Sequence, residues 1–147
     1  MARDPFHSPL PWESPENSGL NRLPMRSPLM PHAEKAAALD AAWAGPRGRD
    51  EGSNPWRLGL DGTWPFTLVP NPEGAPADFA SPSFDDSNWD DLVVPGTWTL
   101  QGFDKPHYTN VIMPFGNTPP SAPASHNPTG LYRRRFDLPA AWEGRRT

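Results

Sequence analysis

Prolines interrupt this chain so often that no long helix can run through it. There are 22 of them in 147 residues, with 12 glycines alongside. A proline inside a helix removes a hydrogen bond and clashes with the preceding turn, and glycine loses the most backbone freedom on ordering. The sequence therefore favours turns, loops and short strands. It does not read as a disordered tether, because seven tryptophans and seven phenylalanines supply more apolar rings than such a segment carries.

Residues 1–53 read as an extended, proline-rich arm containing eight of the prolines and little apolar alternation. The one helical suggestion in it is the alanine-rich stretch 33–43, where Leu39 and Trp43 stand four apart. From Asn54 onward the pattern turns to strands. Trp64, Phe66 and Leu68 alternate, placing three large side chains on one face, and Asp61-Gly62 marks a turn before them. Pro65 cannot donate to a ladder, so an edge strand or a bulge is expected there. Leu92-Val93-Val94 reads as a short strand closed by Pro95. Residues 131–138 read as a last strand with Tyr132, Phe136 and Leu138 on one face and the Arg134 stem along the core edge. About four strands with little helix give an all-β expectation, a sandwich or jelly roll. Four strands are too few to close one, so residues 54–147 are expected to form the first part of a domain, cut before completion.

Several function classes are disfavoured at once. The net charge is −4. The basic clusters, Arg133-Arg134-Arg135 and Arg145-Arg146, read as solvated strand edge, so no nucleic-acid partner is expected. With no cysteine there is no disulfide framework, which suits a cytoplasmic chain. No apolar signal core or membrane-spanning stretch is seen, and no membrane partner is expected. His7, His32, His107 and His126 fall at no metal-binding spacing, and no nucleophile elbow accompanies the serines.

The densest carboxylate group is Asp85, Asp86, Asp90 and Asp91. Glycoside hydrolysis needs a carboxylate pair, but Asp-Asp-Ser-Asn is turn chemistry, with side chains bonding local N–H groups around a Trp89 plug. These acids are therefore not assigned as catalytic. The stretch 95–130 is more informative. It crowds prolines, glycines and aromatics between two strand-like segments, which makes an ordered surface of ring faces and polar edges suited to a sugar. Within it, Asn110 offers two donors and an acceptor, matching vicinal hydroxyls, and Pro106 and Pro114 restrict the backbone around it. An asparagine capping its own turn would look the same. Asn127-Pro128-Thr129-Gly130 reads as a tight turn feeding a strand.

Taken in order, these segments resemble the N-terminal part of glycoside hydrolase family 2, and within it the long bacterial β-galactosidases. The resemblance begins with Glu13-Ser14-Pro15-Glu16-Asn17 and Asn21-Arg22-Leu23-Pro24, and continues through Leu60-Asp61-Gly62-Thr63-Trp64. Phe84-Asp85-Asp86-Ser87, Trp89, Val94-Pro95 and Trp98 follow. Then come Gly102-Phe103-Asp104-Lys105-Pro106-His107-Tyr108-Thr109-Asn110-Val111, Asn127-Pro128-Thr129-Gly130-Leu131-Tyr132, and Phe136-Asp137-Leu138-Pro139 with Trp142. Pro65 departs from the family's usual charged or aromatic residue.

The resemblance implies a galactose-binding-like jelly roll, followed in the full enzyme by immunoglobulin-like domains and a barrel with two catalytic glutamates acting with retention. This chain is then expected to be a truncated N-terminal segment, inactive alone. It would lend a sugar-contacting loop, Asn110 with Val111 beside it, and an assembly surface, with no catalytic and no metal residue of its own. No cofactor is expected on this chain, while magnesium and sodium are implied for the full-length enzyme. Expected partners are a β-galactoside substrate, the remaining domains and further copies in a homo-oligomer. The alternatives are another family 2 glycosidase (glucuronidase or mannosidase), a stand-alone carbohydrate-binding module, and a fragment that complements a larger polypeptide.

Overall fold

The alternating rings around Trp64 lie on the central strand of a three-stranded sheet. The computed structural model describes residues 14–25, 27, 29–44, 54–106, 110, 123 and 126–145, with the backbone alone for 42–44. Its regular elements are α1 (Lys35–Ala44), β1 (Gly62–Val69), β2 (Asp90–Val94) and β3 (Thr129–Tyr132), in sheet order β2-β1-β3. Short 3-10 turns occupy Pro15–Asn17, Pro72–Gly74, Trp98–Gln101 and Ala140–Trp142. The chain is thus mainly β in class, with α1 where a helix was expected. Three strands are found among the described residues, against the four expected.

β1 and β3 run antiparallel, with Phe66 opposite Tyr132, Thr67 opposite Leu131, Leu68 opposite Gly130 and Val69 opposite Thr129. Opposed side chains share a face, so Phe66, Leu68, Gly130 and Tyr132 lie together. The register explains how Pro65 sits in a central strand, not the expected edge. Its carbonyl accepts the Arg133 N–H at 3.0 Å. By alternation its missing N–H would have pointed toward the same residue, one step past the end of β3. Proline thus falls where the ladder stops and costs one bond at its margin. For the same reason β3 ends at Tyr132 and does not run to residue 138, and Phe136 and Leu138 are exposed.

The hydrophobic core is small. Phe66 is wholly buried, and Leu92 and Leu131 are nearly so. Around the Phe66 ring stand Phe103 at 4.7 Å, Tyr132 at 4.8 Å and Trp98 at 6.1 Å between centroids. The edge-on and tilted geometries suit ring quadrupoles, each such pair adding about 0.5–1.5 kcal/mol beyond the area it buries. Gly130 is what lets the rings close in. A Cβ there would stand 2.6 Å from Trp98 Cζ3 and 2.8 Å from Phe66 Cε2.

The described residues form two compact units. One is built on Thr63–Arg133 with the arm up to Pro24, the other on Met25–Gly62 with the stretch from Arg134 onward. In the second, Asn54 is a buried knot. Its amide donates to the Pro31 carbonyl at 2.8 Å, and its carbonyl oxygen accepts the Trp56 N–H at 3.0 Å. The Trp142 indole donates to the Pro55 carbonyl at 2.9 Å, and the Arg145 guanidinium lies 4.3 Å from the Trp56 ring centre. No helix among the described residues is long and apolar enough to cross a membrane.

Candidate functional site

The stretch after β2 is folded tightly before it reaches Asn110. The Val94-Pro95 bond is cis. The Trp98–Gln101 turn ends on Gly102 at φ 96°, a left-handed value that glycine adopts without strain. The Phe103 N–H then donates to the Trp98 carbonyl at 3.1 Å, which points the Phe103 ring back into the cluster on Phe66. Asp104 follows at φ 58°, where aspartate is among the better-tolerated side chains.

The far side is held by Asn127-Pro128-Thr129-Gly130. The Asn127 N–H donates to the Pro70 carbonyl at 3.1 Å, and the Thr129 hydroxyl donates to the Asn127 carbonyl at 2.9 Å. Gly130 then admits the Trp98 ring. The motif feeds β3 as expected, but Thr129 and Gly130 already belong to that strand and the expected tight turn is not formed across the four residues. Between these two anchors Asn110 lies exposed in a turn. Val111, the second expected contact, lies outside the described residues.

Of the acidic group, Asp85 and Asp86 behave as turn chemistry, whereas Asp90 and Asp91 open β2. Asp85 accepts the Ser87 N–H at 3.0 Å, and the Trp89 N–H donates to the Asp86 carbonyl at 3.0 Å. Trp89 packs edge-on against Phe84 with centroids 5.6 Å apart, as the plug reading requires. Asp86 does more than turn the chain. Its carboxylate accepts from Arg133 Nε at 2.7 Å, with both side chains about nine-tenths buried. Arg133 also donates to the carbonyls of Phe79 and Ser81 and lies over the Phe84 ring, 5.1 Å from its centre. This corrects the solvated-edge reading of the arginine run. Arg133 alternates to the face opposite Tyr132 and there clasps loop 79–86, while Arg134 and Arg135 are exposed.

Burial holds the Tyr132 phenol above its ordinary pKa, so Tyr132 is a neutral hydroxyl across the physiological range. Among the described residues no group of three or more His, Cys, Asp or Glu side chains could hold a metal ion.

Two residues with clear structural work gave little sequence signal. Gln101 brackets the backbone of Val93, and Gly96 beside it has no room for a Cβ, which would meet Gln101 Nε2 and the Val93 carbonyl at 2.5 Å. Only the run Pro95-Gly96 hinted at a close approach.

Comparison with known proteins places this arrangement. A model for the glycosyl hydrolases family 2 sugar binding domain matches residues 58–147. A β-galactosidase of Psychromonas ingrahamii is 42% identical over 135 residues, which is 92% of this chain and 12% of that protein. One from Vibrio cholerae serotype O1 is 48% identical over 89 residues, 60% of this chain and 8% of that protein. One from Priestia megaterium is 35% identical over 137 residues, 90% of this chain and 12% of that protein. The chain thus spans roughly a tenth of the length of these relatives.

Proposed function

Because the chain belongs to the glycosyl hydrolase family 2 sugar-binding domain family, we propose that it is the N-terminal segment of a β-galactosidase. The full enzyme hydrolyses terminal β-D-galactosides of the lactose type with retention. The observation that carries this reading is the match to relatives named β-galactosidase across most of this chain, arm included. The two glutamates of the retaining mechanism, and the ligands for magnesium and sodium, belong to the rest of the polypeptide. In this reading the three-stranded sheet is part of a jelly roll, the arm is an assembly surface in a homo-oligomer, and the enzyme works in the cytoplasm.

What this segment does for the reaction is to hold and orient. Asn110, which lies in sequence between the Phe103 anchor and the start of β3, directs its amide donors and carbonyl acceptor at galactose hydroxyls. Val111 is the second sugar contact in this reading. The Phe66 cluster keeps the base of the loop from shifting under load, so the amide spends little entropy on reaching its bound pose.

Activity assays test this reading. The complete polypeptide is expected to turn over a chromogenic β-D-galactoside, while the 147-residue chain alone gives no more than a heat-killed control. Turnover by the chain alone, or a preference of the complete enzyme for a glucuronide or mannoside, would overturn it. In the complete enzyme, Asn110→Ala should cost roughly 1–3 kcal/mol of transition-state binding, about 5- to 150-fold in kcat/KM. Unchanged kinetics would make Asn110 a turn residue only.

A further inference from the structure

The hydrogen bonds around Val93 carry an inference that the sugar-binding reading does not need. Among the described residues β2 lies at one side of the sheet, with β1 on its inner flank. Leu92 is buried, whereas the Val93 side chain is 56% exposed. The Val93 N–H donates to Gln101 Oε1 at 2.8 Å, and Gln101 Nε2 donates back to the Val93 carbonyl at 3.0 Å. Those two bonds form the ring that a residue of a neighbouring antiparallel strand would make with Val93. A side-chain amide has taken the place of a strand.

The placement is built in. Gln101 closes the Trp98–Gln101 turn, and Trp98 is fixed by its contacts with Phe66, at 6.1 Å, and Tyr132, at 6.5 Å. Gly96 makes the approach possible, since any Cβ there would collide with Gln101 Nε2. The edge needs closing. Leu100, 82% exposed, stands in the same turn, so unpaired backbone groups here would sit beside two exposed apolar side chains. Such an edge is a template for another strand.

We propose that Gln101 is an edge cap that keeps β2 from pairing with the β2 strand of a second copy of this chain. A second copy fits for a geometric reason. Two β2 strands paired antiparallel about Leu92 set each Val93 opposite Asp91 of the other copy. No like charges then face each other, and the missing N–H of Pro95 is not called on. Asp91 is exposed and free of the core packing that fixes Leu92.

Amide hydrogen exchange and sedimentation of the 147-residue chain test the proposal. In Gln101→Ala at low concentration, the Val93 amide is expected to lose about tenfold or more of its protection while the Leu92 amide keeps its own. As concentration rises, a dimer absent from the unsubstituted chain at the same concentration should appear and Val93 protection return. Gln101→Ala combined with Val93→Pro removes the outward N–H, a change an edge strand tolerates, and should abolish that dimer. Unchanged sedimentation of Gln101→Ala, or a dimer that survives in the double variant with Leu92 still protected, would overturn the edge-cap role. If Gln101→Ala also loses Leu92 protection, Gln101→Glu decides, since it keeps the acceptor and removes the donor. Concentration-dependent dimerisation of that variant, reversed by Val93→Pro, supports the proposal, and its absence refutes it.

Discussion

Phe66→Ala is expected to destabilise the chain by about 3–5 kcal/mol, the range for removing a buried aromatic ring without full collapse of the cavity. Among the described residues Phe66 is the one side chain with no exposure at all, and three other rings, Phe103, Tyr132 and Trp98, are arranged around it. None can move in to fill the gap, because Tyr132 is fixed opposite by strand register and Phe103 by its backbone bond to Trp98. For a domain whose whole stability is on the order of 5–15 kcal/mol, that loss removes a large fraction of it. A urea unfolding curve would show it as a large drop in midpoint. Leu100→Ala is the control. It removes a comparable apolar side chain that is 82% exposed, and should shift stability by no more than about 0.5 kcal/mol. Equal effects from the two would mean that the aromatic cluster is not the core of this unit.

Much of this architecture could be read from the residues, because period-two alternation is a strong signal. Trp64, Phe66 and Leu68 gave β1, Leu92-Val93-Val94 gave β2, and the alanine run gave α1. The length of β3 was misjudged for an instructive reason. Phe136 and Leu138 continue the alternation in sequence, but a strand persists only where a partner offers backbone groups. β1 itself runs on to Gly62, but its ladder with β3 stops at Pro65, which has no N–H to give. Pro65 misled in the other direction too. The rule that places proline at sheet edges speaks of hydrogen-bonding sites, and a central strand can still contain one at the margin of its ladder.

The candidate site was legible in part. The Asp85 turn followed from turn chemistry and is met by the bond observed, whereas Asn127-Pro128-Thr129-Gly130 feeds β3 without forming the tight turn expected of it. Asn110 was singled out by its chemistry between restricting prolines and lies exposed in a turn. Gln101 gave no usable signal. Its function is to imitate a strand eight residues away, which depends on a three-dimensional return of the chain that local patterning does not encode. Arg133 was hidden by its neighbours, since a run of three arginines reads as one charged surface. In a strand, however, successive residues face opposite sides, and Arg133 is placed to reach loop 79–86.

That clasp gives the second large effect. Arg133→Ala is expected to cost about 3–5 kcal/mol, because it takes the ion-pair partner from the Asp86 carboxylate in a site where both side chains are about nine-tenths buried. It also takes a donor from the carbonyls of Phe79 and Ser81 and the cation from above the Phe84 ring. Arg133→Lys should recover little of this, since one ammonium cannot reach a carboxylate and two carbonyls in the directions that a planar guanidinium fork serves. The double variant Arg133→Met with Asp86→Leu separates two explanations for the loss. If the cost arises from an uncompensated buried charge, removing both charges should restore most of the stability even though the bonds to Phe79 and Ser81 stay broken. If the cost arises from loss of the clasp, the double variant should remain as unstable as Arg133→Ala, and proteolysis should cut the 76–89 loop first. Bonds to two backbone carbonyls add to the ion pair, so the double variant is expected to fall between these limits, nearer the stable one. Its residual loss then measures how far Arg133 is needed to shape that loop as opposed to neutralising Asp86.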